Sequence, residues 1–132
     1  MTIRFATPDD QATLAALYRG YFQGIEFDFS DPAPYFLLLL RDDEAIGALQ
    51  LMYSKPVAVI ENLILTDTGH EDRARSIDLL FQAGFGILGN HGAECIFGFV
   101  NEGQENWLEY VKKRGWVETH KGIMMRHGAV TL

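Results

Sequence analysis

The residues best suited to chemistry lie together between positions 58 and 76. There, an apolar strand pattern carries one carboxylate, Glu61, and a polar turn leads into an apolar helix pattern that opens with residues 72–76. The first N–H groups of a helix have no partner within the helix, so the start of a helix attracts anions. The segment therefore predicts a phosphate-binding turn with a candidate base close by.

Glu61 is the candidate general base. Strand alternation places its side chain on the same face as Val57, Val59, Leu63 and Leu65. A carboxylate among aliphatic side chains has a raised pKa, which suits a base that works near neutral pH. A partly exposed glutamate or a structural ion pair is the alternative interpretation.

Apolar periodicity and turn residues predict an α/β sandwich with the order β-α-β-β-β-α-β-α-β-β. Strands are predicted over residues 2–6, 35–41, 45–53, 57–65, 94–100, 116–119 and 122–126, and helices after Thr7 and over 71–89 and 104–114. Residues 42–44 form the predicted turn of a hairpin. The mostly apolar strand over 57–65, which carries Glu61, is expected in a central position covered on both faces.

Composition limits the class of protein. The chain has 132 residues, a formal net charge of −7 and no extended basic cluster, which argues against a nucleic-acid partner. The apolar run over residues 35–40 is too short to span a bilayer, and the first residues lack the apolar region of a secretion signal, so no membrane partner is expected. The single cysteine, Cys95, allows no internal disulfide and fits a reducing compartment, so the expected location is the cytoplasm.

The element order and several local sequences resemble the GNAT superfamily of N-acetyltransferases, over nearly the whole chain. IRFATPDDQATLAALY is similar to the opening strand and helix of that family, LLLLRDDEAIGALQL to its hairpin, IENLIL to its fourth strand and NEGQENWLEYVKKRGWVET to its late helix. The resemblance implies a single GNAT-like domain over residues 1–132, with a mixed, mostly antiparallel sheet flanked by helices. It implies an acetyl-CoA-dependent N-acyltransferase acting on a primary amine of a small molecule or peptide.

The family's acyl-CoA loop, Gln/Arg-x-x-Gly-x-Gly/Ala, is degenerate in this chain, and two registers are open. One places Glu71, Ala74 and Ser76 on the motif, and the other places Arg73, Ser76 and Asp78 on it. We prefer the second register, because it keeps a cation beside the diphosphate.

By resemblance, a set of residues is expected to bind acetyl-CoA: Leu63, Ile64 and Leu65 through their backbone groups, Arg73, Ala74, Arg75 and Ser76 at the diphosphate, and Asn101 near the pantetheine arm. Alternatively, the two arginines form an exposed helical turn paired with neighbouring acids, and Asn101 only starts a turn.

The general acid is less clearly marked. The family's usual tyrosine lies four residues before the glycine of a Gly-aromatic pair, where this chain has Val111. Tyr110 is the neighbouring candidate, about 100° away around the helix. The alternative is that Tyr110 is an amphipathic core residue. Cys95 needs no catalytic role and is expected to be a small core residue.

Two other functions remain open. The degenerate loop and Val111 fit a GNAT-fold binding or regulatory protein that is catalytically weak or inactive. A homodimer with a structural role is the third hypothesis. No metal site is expected, because His70, Glu71 and Asp72 are adjacent and cannot converge on one ion without other ligands.

Overall fold

The structure, a computed structural model, describes residues 1–22, 26–66, 70–100, 103–122, 125 and 127–128. They fall into two units, residues 1–99 and 100–132, and each is considered by itself. The single domain over 1–132 stays a prediction. None of the helices in the described ranges combines the length and the apolar composition that crossing a membrane requires.

The described part of the first unit contains a five-stranded mixed sheet. In chain order, its elements are β1 (Thr2–Phe5), a short 3₁₀ turn (Pro8–Asp10), α1 (Gln11–Leu17), β2 (Phe36–Arg41), β3 (Glu44–Met52), β4 (Val57–Leu65), α2 (His70–Asn90) and β5 (Cys95–Phe97). The strands lie side by side in sequence order. Neighbours are antiparallel except β4 and β5, which are parallel and joined through α2. The second unit contains α3 (Glu105–Lys112). The predicted α/β class and the element order as far as α3 are confirmed.

The hairpin of β2 and β3 turns on two aspartates. Asp42 and Asp43 have φ angles of 50° and 63°, the left-handed conformation that a tight two-residue hairpin turn needs. Aspartate tolerates this conformation better than most residues. The predicted hairpin is therefore confirmed, with β3 beginning at Glu44.

Apolar side chains fill both faces of the sheet. The α1 face carries a cluster of buried residues: Ala6, Leu14, Tyr18, Phe29, Phe36, Leu38 and Ala48. On the opposite face, α2 approaches closely at Gly84, where an added Cβ would lie 3.0 Å from Ile60 Cδ1 and 3.2 Å from Leu51 Cδ2. A glycine at this position lets the helix backbone rest on the strands.

An ion pair fixes the start of α1. Arg4 Nη1 and Nη2 donate to the two carboxylate oxygens of Asp10 at 2.6 and 2.9 Å. The Thr7 N–H also donates to Asp10 Oδ2, at 2.8 Å, which closes the turn before the helix. The hydrogen bonds from Arg4 are the main cause that lowers the pKa of Asp10 to about 2.

Several sequence-based expectations differ from the structure. Cys95 is exposed rather than buried, because β5 is the last strand of the described sheet. Within β4 only Ala58 and Ile60 are buried, so the expectation of full cover on both faces is wrong. The predicted strand over 94–100 is shorter, Cys95–Phe97.

The strand predicted over 116–119 is absent from the described backbone. Gly115 has a φ of 92°, and the Trp116 N–H donates to the Val111 carbonyl at 3.2 Å. This is a helix-ending arrangement in which the residues after the glycine complete the last turn of α3. The strand predicted over 122–126 lies partly outside the described residues.

Candidate functional site

The central feature of β4 is a β-bulge. Gln50 of β3 pairs with Glu61, whereas Ala48 pairs with Ile64. Two residues of β4, Asn62 and Leu63, therefore stand opposite one residue of β3. Asn62 has a φ of 55°, a left-handed conformation that asparagine adopts more readily than most residues.

The bulge changes which face the later side chains occupy. Ile64 packs against the buried cluster on the α1 face. Leu65 lies on the α2 face, because its Cδ2 borders Gly47 together with Leu80 of α2. The expectation that Glu61 and Leu65 share a face is therefore wrong, since one extra residue reverses strand alternation.

Glu61 lies before the bulge and close to the end of α1. Its side chain is half-buried, and burial raises the pKa of its carboxyl. The Tyr21 hydroxyl also has a raised pKa, first because of burial and second because of the negative charge of Glu61. Tyr21 is 41% exposed, so this carboxylate and aromatic ring border solvent together.

A second tyrosine contacts the bulge from the α1 face. Tyr18, which is 3% exposed, donates its hydroxyl hydrogen to the Asn62 carbonyl at 2.6 Å. The Asn62 side-chain amide donates to Gln50 Oε1, also at 2.6 Å. The Tyr18 ring is fixed by stacking on Phe29, with centroids 5.7 Å apart.

The residues expected to meet the pantetheine arm lie along an open stretch of β4. In the described part of the sheet, β5 pairs with β4 only over Val57–Val59. The β5 side of Leu63, Ile64 and Leu65 is therefore not covered by β5. A groove of about 600 Å³ reaches the end of this strand, lined by Thr13, Ala16, Leu17, Asp43, Glu44, Ala45, Ile64, Leu65 and Thr66.

The residues expected at the diphosphate lie in the first turns of α2, which already includes His70. Arg73 and Arg75 are exposed there. Ser76 is 1% exposed, and its hydroxyl donates to the Asp72 carbonyl at 2.6 Å.

The helix start bears on the choice of register. Only the first four N–H groups of a helix lack a partner within it. Because α2 already includes His70, Ser76 and Asp78 lie beyond its first four residues and have no free N–H for an anion. The preferred register, which places these two residues at the diphosphate, therefore lacks free N–H groups there. An anion at this helix would meet Arg73 or the residues before it. Asp72 is not simply an opposing charge there, because its carboxylate pairs with Arg41 Nη2 at 2.9 Å.

The candidate general acid lies in the second unit. The Tyr110 ring stacks on Trp107, with centroids 5.4 Å apart, and the guanidinium carbon of Arg114 lies 3.5 Å from its centroid. Val111, at the family's usual tyrosine position, is buried. The role of Tyr110 stays a prediction. Asn101 lies outside the described residues.

Sequence reasoning did not find Tyr18, Gln50 and Asn62 as site residues. Tyr18 follows the apolar spacing of α1, which indicated only a core residue. The one local signal for a bulge is an asparagine within an apolar strand, because asparagine favours the left-handed conformation.

No protein-family model matches the sequence, and no curated protein is significantly similar to it. Solved structures are similar over nearly the whole chain. A putative acetyltransferase from Agrobacterium tumefaciens is 13% identical, with a TM-score of 0.72, covering 96% of this chain and 100% of that one. An aminoglycoside N-acetyltransferase in complex with CoA is 16% identical, with a TM-score of 0.76 and coverage of 96% and 93%. A transcriptional regulator from Bacillus halodurans is 16% identical, with a TM-score of 0.71 and coverage of 96% and 99%.

Together with the mixed sheet and the parallel β4–α2–β5 crossover, these likenesses define the class of fold. The chain has the GNAT fold.

Proposed function

We propose that the protein is an acetyl-CoA-dependent N-acetyltransferase that acts on a primary amine of a small molecule or peptide. The observation that carries the proposal is Glu61. It is a half-buried carboxylate with a raised pKa, located just before the bulge of β4 and beside the partly exposed Tyr21. The solved aminoglycoside N-acetyltransferase with the same fold is described as a complex with CoA, which supports this cofactor.

The residues present fit acetyl-CoA in two places. An extended arm could hydrogen-bond to the backbone of Leu63–Leu65, because β5 does not pair with that part of β4. The diphosphate would meet the start of α2, where Arg73 and Arg75 are exposed. Acetyl-CoA would supply the activated acetyl group, and the chain would supply its position.

The reaction needs a neutral amine. The nitrogen forms a bond to the acetyl carbon while the carbon–sulfur bond breaks; one proton leaves the nitrogen and one is taken up by the sulfur. Glu61 would accept the first proton, directly or through a water molecule. Its raised pKa makes it a stronger base than an exposed glutamate. Tyr110 remains the candidate for supplying the second proton.

Calorimetry with acetyl-CoA and measurement of thiol release with a panel of amines test the proposal. Glu61→Gln should lower kcat about a hundredfold or more, because general-base catalysis contributes about that much. Glu94→Gln, an exposed position after α2, is the matched control and should leave kcat unchanged. The absence of acetyl-CoA binding at high ligand concentration would contradict the proposal.

The pH dependence gives a second test. A general base works only when deprotonated, so kcat should fall as pH decreases through the pKa of Glu61. Because burial raises that pKa, the midpoint should lie above the ordinary value of 4.5. An activity that stays constant down to that value would exclude Glu61 as the base.

A second candidate function is regulatory binding without catalysis. A solved transcriptional regulator has the same fold, and in this chain Val111 stands at the usual tyrosine position. Binding of acetyl-CoA without turnover on any amine of the panel would favour this candidate. Turnover that depends on Glu61 would exclude it.

A further inference from the structure

We propose that Tyr18 and Gln50 are positioning residues that hold β4 in its bulged form through Asn62. They would thereby hold Glu61 beside Tyr21 and keep Ile64 and Leu65 in their observed register with β3. This inference rests on the proposed function for its catalytic consequence. Its structural part stands on the hydrogen bonds and the register of β4 alone.

The bulge needs support because Asn62 is in a left-handed conformation. For a residue other than glycine this conformation is unfavourable, although less so for asparagine. The extra residue also leaves local backbone groups outside the regular ladder. Contacts from outside the strand must therefore satisfy those groups, or the strand would regularise.

The Tyr18 hydroxyl supplies the first of these contacts. Its ring is buried among aromatic side chains, so its O–H requires a partner within the protein. That partner is the Asn62 carbonyl at 2.6 Å, across 44 residues of sequence. The hydrogen bond therefore ties the end of α1 to the one residue of β4 whose backbone departs from strand geometry.

Gln50 supplies the second contact. It pairs with Glu61 in the register of the sheet, and its side-chain oxygen accepts a hydrogen bond from the Asn62 amide. The backbone of Asn62 is thus held through its carbonyl from α1, and its side chain from β3. Two fixed points on one residue restrict the rotation that would be needed to straighten the strand.

The arrangement links these contacts to Glu61. Glu61 immediately precedes Asn62. Its neighbour Tyr21 lies three residues after Tyr18, in the turn that follows α1, and the two tyrosine ring centroids are 5.4 Å apart. A change at the Tyr18–Asn62 hydrogen bond would move the carboxylate relative to the aromatic ring beside it. Loosening the bulge should admit water around Glu61. The better-solvated carboxyl would then have a lower pKa, closer to the ordinary value for glutamate.

Tyr18→Phe is the primary test, because it removes one hydroxyl and leaves the ring stacking. Tyr53→Phe is the matched control, since the Tyr53 hydroxyl donates to the Pro34 carbonyl at 2.9 Å elsewhere in the same unit. Two measurements on the full chain are required: the titration midpoint of the Glu61 carboxyl by carbon-13 NMR, and kcat together with its pH profile.

We expect Tyr18→Phe to lower the Glu61 midpoint, to shift the backbone amide signals of Asn62 and Leu63, and to reduce kcat about tenfold. Tyr53→Phe should leave the midpoint and the signals unchanged and kcat within about twofold. An unchanged Glu61 midpoint and unchanged amide signals in Tyr18→Phe would overturn the inference.

The two proposals can fail separately. If the wild-type protein transfers no acetyl group, the proposed function fails, while the NMR titration still decides whether Tyr18 positions Glu61. If Tyr18→Phe does not fold, Gln50→Leu takes its place, because it removes the second contact at similar size. A lowered Glu61 midpoint in that variant supports the inference, and an unchanged midpoint contradicts it.

Discussion

The ion pair between Arg4 and Asp10 makes a prediction about stability and pH. The pKa of Asp10 is about 2 in the folded protein, against an ordinary value of 3.8. A carboxyl whose pKa is lowered on folding stabilises the protein above its unfolded pKa, and this contribution is lost as pH falls through the folded pKa. The stabilisation should therefore be complete above about pH 5 and disappear between pH 4 and pH 2.

The structure sets the size of this effect. The difference between the two pKa values corresponds to roughly 2.5 kcal/mol at about 1.4 kcal/mol per pKa unit. The Arg4 side chain is 46% exposed, so solvent weakens the pair, and we reduce the expected contribution to about 1–2 kcal/mol. The Thr7 N–H also donates to this carboxylate, so the expected contribution to stability stays above that of an exposed surface ion pair.

Asp10→Asn tests the prediction by urea unfolding at pH 6 and at pH 2.5. The variant should be about 1–2 kcal/mol less stable than the wild type at pH 6, and the difference should shrink at pH 2.5 because the wild-type carboxyl is then largely protonated in the unfolded state. Asp9→Asn, an exposed neighbour, is the control and should change stability by less than about 0.5 kcal/mol. A constant difference between Asp10→Asn and wild type across this range would refute the reasoning.

Two further predictions concern packing and the hairpin. Gly84→Ala should be less stable than Gly86→Ala by about 1–3 kcal/mol in urea unfolding, because an added methyl meets Ile60 at 3.0 Å at the first position and nothing within 4 Å at the second; equal stabilities would contradict the close packing of α2. Asp43→Gly should raise the unfolding free energy by about 0.5–1 kcal/mol, because glycine adopts the observed φ of 63° without strain, and a loss of stability in the same assay would count against this account of the turn.

Much of the fold follows from periodicity and turn chemistry. The boundaries of β4 match the predicted strand, and the hairpin was indicated by two aspartates between apolar runs. These features depend on residues that are close together in the chain, so a single sequence is enough to predict them. The predicted strand over 116–119 had a strand-like composition, but Gly115 and the Trp116 N–H instead complete the end of α3.

The site was harder to predict, because it depends on one break in an alternating pattern. Glu61 could be proposed from its place among aliphatic residues, but alternation then assigned Leu65 to the wrong face. The position of the break is set by contacts from Tyr18, distant in sequence, and from Gln50 on the adjacent strand. Likewise, Ser76 was assigned to the diphosphate site at the helix start, although it lies beyond the first four N–H groups of α2, which includes His70.

The bulge in β4 also has a consequence for chain length. Deleting Asn62 would bring Leu63 opposite Leu49, while Glu61 would still face Gln50 and the later pairs would keep their partners. The pairing of β3 with β4 can therefore be formed by a chain one residue shorter, with Glu61, Ile64 and Leu65 on their present faces. In terms of insertions and deletions, Asn62 is an extra residue that the strand pairing accommodates, and the shortened chain would lose both the carbonyl that accepts from Tyr18 and the side-chain amide that donates to Gln50.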